Sequence, residues 1–124
     1  MAKKGSSRRW MHEHLSDEFV KKAQKEGYRS RAVYKLLEII EKNNVIHNGD
    51  IVLDLGAAPG GWSQVAAKII TQGKILAVDI KPMNKIHNVE FMVGDLLDTD
   101  IYNKIYSHFD KKIDVILSDM AANT

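Results

Sequence analysis

Asp54-Leu55-Gly56-Ala57-Ala58-Pro59-Gly60-Gly61-Trp62 is the stretch that decides how this chain folds. It is a small-residue loop set between a short apolar run, Ile51-Val52-Leu53, and a helical stripe of Trp62, Val65, Ala66 and Ile69. Glycines at such a junction let a ligand approach the backbone and leave the first N–H groups of the helix open to it. The nicotinamide-dinucleotide fingerprint is Gly-x-Gly-x-x-Gly. Ala58 takes its second glycine place here, and Asp-x-Gly-x-x-x-Gly suits a cofactor that lacks a pyrophosphate. The alternative is a tight strand-to-helix turn that binds nothing, so the surroundings of the loop carry the decision.

Downstream, Gly73 closes the helix and the apolar runs resume. Ile75-Leu76-Ala77-Val78 ends at Asp79, Val89 to Val93 is followed by Gly94-Asp95, and Ile113 to Leu117 by Ser118-Asp119. Ile101, Ile105 and Phe109 mark a helix between the last two runs. Short, near-continuous apolar runs alternating with helical stripes predict a doubly wound, mostly parallel sheet with helices on its faces. In that class ligands bind at the carboxyl ends of the strands. An acid there is often a turn former; four in register, Asp54, Asp79, Asp95 and Asp119, point to an acidic ligand rim. Asp79 lies about 20 residues past the loop, where an acid can accept from both hydroxyls of a ribose. A cationic, ribose-bearing ligand suits this rim better than an anionic dinucleotide.

Upstream, Phe19, Val20 and Ala23 give a first helix an apolar face, with Ser16-Asp17-Glu18 opening it and Gly27 stopping it. Val33, Leu36, Leu37 and Ile40 predict a second helix over roughly 29–43. Residues 1–35 hold ten Lys/Arg against four acids, while residues 36–124 hold eight against twelve. The net +2 of the chain is therefore a +6 front third on a −4 body. That asymmetry points to a polyanion-binding face, with a merely solvated basic helix as its rival.

Composition narrows the classes. With 124 residues and 44% hydrophobic positions, the chain has material for one small core. Cysteine is absent, which excludes disulfides and thiolate chemistry. The histidines offer only one His-x-His, His12 and His14, so no metal site is expected. No apolar run approaches the roughly eighteen residues of a membrane span, and the basic start has no apolar stretch behind it. A cytoplasmic, membrane-free monomer is expected.

Two stretches resemble the FtsJ-like ribose 2′-O-methyltransferases, the bacterial branch that modifies large-subunit ribosomal RNA. One runs from Ser7-Arg8-Arg9-Trp10 to His14 and on through Gly27-Tyr28-Arg29-Ser30-Arg31-Ala32 to Tyr34-Lys35-Leu36. The other is Asp54 to Gln64 with Asp79, Pro82-Met83, Gly94-Asp95 and Ser118-Asp119-Met120-Ala121. The resemblance implies a Rossmann-like methyltransferase fold, S-adenosylmethionine as donor, and the 2′-hydroxyl of a uridine in 23S rRNA of the 50S subunit as acceptor. It implies cofactor contacts at Gly56, Gly60 and Trp62, ribose at Asp79, adenine at Asp95, and Asp119 beside the donor methyl. Arg8, Arg9, Arg29 and Arg31 would meet RNA. Of the family's Lys-Asp-Lys-Glu catalytic set, Lys35 matches the first lysine and Asp119 the aspartate. The remaining two have no counterpart in these 124 residues.

The expected organisation is one incomplete domain, its sheet cut after the fourth strand. A basic arm covers 1–15, basic helices 16–43 and the cofactor-binding half of the sheet 50–124. A catalytically inactive RNA-binding fragment is the competing reading, and a nicotinamide-dependent oxidoreductase a weaker third.

Overall fold

The computed structural model describes residues 18–119. The described chain starts in a helix, α1, that runs to residue 26, and Gly27 turns it off with φ +82°. Then follow α2 (Val33–Asn43), β1 (Ile51–Leu55), α3 (Gly61–Ile69), β2 (Lys74–Asp79), β3 (Glu90–Val93), α4 (Thr99–His108) and β4 (Val115–Ser118). All strand pairs are parallel, in the order β3-β2-β1-β4.

The sheet alternates as its sequence requires, because successive strand side chains point to opposite faces. Val52, Ile75 and Leu117 join Val33, Leu36, Trp62, Val65 and Ala66 on the face covered by α2 and α3. Ile51, Leu53, Leu76 and Val78 pack on the other face against Ile101, Ile105 and Phe109 from α4 and its end. The doubly wound α/β arrangement expected from the apolar runs is thus present. Since β1 pairs with β2 on one side and β4 on the other, the loop after it opens at the centre of the sheet's carboxyl edge. Gly61 begins α3 where a Cβ would come within 2.8 Å of Val33 Cγ2, so the lack of a side chain lets α2 and α3 meet.

Several boundaries differ from expectation. The second helix begins at Val33 rather than near 29. Residues 30–35 make tight i to i−3 turns, while Arg29 N–H donates to Gln64 Oε1 at 2.8 Å. The last strand begins two residues late because Asp114 accepts from Ile51 N–H through its side chain at 2.8 Å. On α1, Ala23 is buried, whereas Phe19 and Val20 are 43% and 39% exposed. The intended cap at Ser16, and Arg8, Arg9, Trp10 and His14, lie outside the described residues.

Candidate active site

The glycine loop is wired to the end of β2. Gly56 and Ala57 N–H both donate to Val78 O, and Ala58 N–H donates to Asp79 Oδ2 at 2.8 Å. Asp79 Oδ1 accepts from Lys81 N–H at 2.9 Å, so one carboxylate holds the loop and the turn after β2 together. Gly60 caps α3 with φ +113°, a conformation that an L side chain rarely adopts. A Cβ there would also come within 2.8 Å of Ile86 Cδ1 and 3.3 Å of Met83 Sδ.

Behind the loop a small pocket of about 100 Å³ is lined by Ser30, Ala32, Asp54, Gly56 to Pro59, Gly61, Trp62 and Asp119. Trp62 is both pocket wall and core. It is 7% exposed, packs in the α2–α3 cluster, and donates from Nε1 to Ala32 O at 2.8 Å. Asp54 is 2% exposed and accepts from Ser63 Oγ at 2.7 Å. Burial pushes its carboxyl up to about 6, against the opposing pull of Ser63, and the negative charges of Asp119 and Asp79 push the same way. Two carboxylates, Asp54 and Asp119, thus line one pocket, and the charge of Asp79 reaches Asp54 from beside it.

A ligand carrying a sulfonium and an ammonium relieves the charge repulsion that Asp54 feels from Asp119 and Asp79, whereas a pyrophosphate aggravates it. The pocket therefore suits a ligand that carries positive charge, as the cofactor expected from the sequence does.

In front of the pocket lies a wider groove of about 640 Å³, lined by Phe19, Lys22, Ser30, Arg31, Tyr34, Lys35, Glu38 and Asp119 among others. Tyr34 is flanked by Phe19 at 5.6 Å and Tyr28 at 6.1 Å between ring centroids. Lys22 Nζ sits 4.8 Å above the Tyr34 ring. Cations interleaved with aromatic rings are the surface chemistry of single-stranded RNA recognition. Lys35 Nζ lies 3.6 Å from Asp119 Oδ1, with side chains 68% and 33% exposed. A pair so open to water adds at most about 1 kcal/mol to stability, so folding alone gives little reason for it.

The structure sorts the expected site residues. It brings Lys35 and Asp119 together and places Asp119, Gly56 and Trp62 on one pocket. Arg31 lines the groove. Asp95 is exposed, and its Oδ1 accepts from Leu97 N–H at 2.9 Å, which is turn chemistry. Arg29, expected on the RNA face, turns its guanidinium to backbone: it donates to Pro59 O at 3.2 Å, to Asn84 O and to Lys85 O at 2.9 Å. Sequence reasoning missed the Asp54–Ser63 pair and the Phe19–Tyr34 wall. The one signal for the former was a serine inside the apolar stripe of α3. Among the described residues no group of three or more His, Asp or Glu side chains could hold a metal, and no helix is long and apolar enough to cross a membrane.

A central strand running into a glycine loop, with carboxylates gathered around it and a cationic groove in front, defines a Rossmann-like domain of the methyltransferase class. The chain belongs to the FtsJ-like methyltransferase family, whose model matches residues 28–124. Among curated relatives, ribosomal RNA large subunit methyltransferase E of Marinobacter nauticus is 52% identical over 125 residues, covering 99% of this chain and 60% of the relative. The enzyme of the same name from a Psychrobacter species is 52% identical over 121 residues, covering 96% of this chain and 58% of the relative. A crystal structure from Plasmodium falciparum that carries the name ribosomal RNA methyltransferase superposes with a TM-score of 0.69 at 37% identity, covering 78% of this chain and 58% of that one. The chain thus spans about 60% of the length of the curated relatives it matches.

Proposed function

We propose that this chain supplies the donor site and half of the acceptor site of a ribose 2′-O-methyltransferase. S-adenosylmethionine is the donor, and a uridine in the 23S rRNA of the 50S subunit is the acceptor, modified in the cytoplasm by a monomeric enzyme. One observation carries the reading: Asp119 is a shared wall of the acidic donor pocket and the cationic, aromatic groove, and is paired there with Lys35.

Methyl transfer to a ribose hydroxyl is a displacement that needs alignment and help with one proton. S-adenosylmethionine, when bound, supplies a methyl group on a positively charged sulfur. Asp119, at the seam of pocket and groove, orients the hydroxyl by accepting its hydrogen bond and takes up the proton that the hydroxyl loses. Lys35, on the groove side, donates to the hydroxyl oxygen and steadies the negative charge that grows there. Arg31 and Lys22 hold the RNA backbone by charge, while Phe19 and Tyr34 offer faces to its bases. Ser30, Ala32 and Trp62 wall the pocket and keep water from the methyl group.

The competing reading, an RNA-binding fragment without activity, draws on the coverage of the relatives and on a catalytic set of which two members are present here. A methyl-transfer assay on 50S subunits lacking the modification separates the two. It is run with these 124 residues and with a chain extended to the relatives' length. In the active form, Lys35→Ala should lower kcat by roughly 100-fold, the usual contribution of one donor aimed at a developing negative charge, while S-adenosylmethionine affinity stays within about twofold. An unchanged kcat, or a loss confined to cofactor affinity, would remove Lys35 from the acceptor side.

A further inference from the structure

Three N–H contacts of Arg29 converge on carbonyls from two different segments. One belongs to the glycine loop, Pro59 O, and two to the connection between β2 and β3, Asn84 O and Lys85 O. That connection, residues 80–89, carries no helix and is mostly exposed. It departs directly from Asp79 and lays Met83 and Ile86 over Gly60. Without a helix, its course depends on side chains reaching it from elsewhere. Arg29 reaches it across 55 positions of sequence.

Arg29 is itself held from behind. Its N–H donates to Gln64 Oε1 on α3, and Gln64 Nε2 donates to Gly27 O at 3.2 Å. The bare Cα of Gly60 leaves the room this arrangement uses, since a Cβ would lie 3.3 Å from Arg29 Nη1. Pro59, Pro82, Met83, Asn84 and Arg29 together line a hollow of about 480 Å³ on the outer side of the loop. A planar cation with several fixed donors suits this task, because a lysine ammonium lacks the fork that spans two segments.

We propose that Arg29 is a positioning residue for the donor: its guanidinium straps the segment after β2 to the glycine loop and so sets the cofactor-binding rim, leaving RNA contact in this stretch to Arg31 and Lys35. The proposal rests on the donor site argued above. It divides two arginines only two positions apart, Arg29 serving the donor and Arg31 the acceptor.

The test compares Arg29→Ala, Arg29→Lys and Arg31→Ala in the full chain by three measurements. These are calorimetry with S-adenosylmethionine, hydrogen exchange of the amides in 57–61 and 80–89, and the salt dependence of RNA binding. Arg29→Ala should weaken cofactor binding by roughly tenfold or more, as expected when charge-assisted hydrogen bonds are lost. Exchange in both segments should rise, and the salt slope should not move. Arg29→Lys should recover part of the affinity but not the protection of both segments. Arg31→Ala should do the reverse, lowering the salt slope by about one while cofactor affinity holds. Should Arg29→Ala fail to fold, Arg29→Lys and Gln64→Ala carry the same comparison. Wild-type cofactor affinity and exchange in a folded Arg29 variant, or a lowered salt slope, would overturn the strap. If the wild-type chain itself binds no S-adenosylmethionine, the donor reading fails. The exchange data then decide separately whether Arg29 ties the two segments.

Discussion

Replacing Asp54 by Asn should make the ligand-free protein more stable at neutral pH and worse at binding its cofactor. Asp54 is 2% exposed, and its carboxyl is pushed from an ordinary 3.8 to about 6 by burial, with Asp119 and Asp79 adding to it. A carboxyl with raised affinity for its proton favours the folded state while protonated. That contribution is complete below about pH 4 and is lost as pH climbs through about 6. At about 1.4 kcal/mol per pH unit, the difference between 3.8 and about 6 sets an upper figure of about 3 kcal/mol. Asparagine has nearly the same shape, keeps an oxygen to accept from Ser63 Oγ, and carries no charge to desolvate. Urea unfolding of both proteins at intervals from pH 4 to 8 measures the effect. The wild type should lose stability between pH 4 and 6 relative to the variant, and the variant should lead by 1–3 kcal/mol, as an order of magnitude, at pH 8. At the same pH the variant should bind S-adenosylmethionine more weakly, because a charge facing its cationic groups is gone. A variant no more stable than wild type at pH 8 would refute the reasoning, as would equal pH profiles.

Substitutions at two further positions probe the rim. Asp79→Ala removes the acceptor of both Ala58 N–H and Lys81 N–H, and should weaken cofactor binding by about 1.5–3 kcal/mol in calorimetry. Asp79→Asn should not rescue it, since two backbone donors face what would be a single acceptor. Gly60→Ala imposes a side chain at φ +113° and drives a Cβ against Ile86. It should cost about 1–3 kcal/mol of stability in urea unfolding and displace the 80–89 segment, visible as faster amide exchange there.

What the sequence disclosed follows the range of the interactions involved. Apolar runs such as Ile75 to Val78 encode both faces of a buried strand locally, so the sheet and its helices could be read directly. The start of β4 could not, because Asp114 spends its side chain on Ile51, 63 positions away. Lys35 and Asp119 were legible through family resemblance alone: nothing near Lys35 in sequence marks a lysine destined for a strand end 84 positions on. The backbone contacts of Arg29 were illegible for the same reason. Beside Arg31 it reads as one basic patch, yet its partners are backbone carbonyls, which leave no trace in side-chain composition. Asp54 was visible as a loop residue, but its depth depends on β2, β4 and α3 closing around it.

Asp79 offers a last consequence. Both oxygens of its carboxylate are anchored to backbone N–H groups in the ligand-free protein, so its rotamer is settled before any ligand arrives. A freely turning aspartate would give up its conformational freedom on each encounter, roughly 0.5–1.5 kcal/mol for a side chain immobilised on binding. Here that entropy is surrendered once, during folding. Donor and spent product, which share the same nucleoside, would meet the same ready-made acceptor. Their discrimination must then come from the sulfur end, where methylation changes the charge.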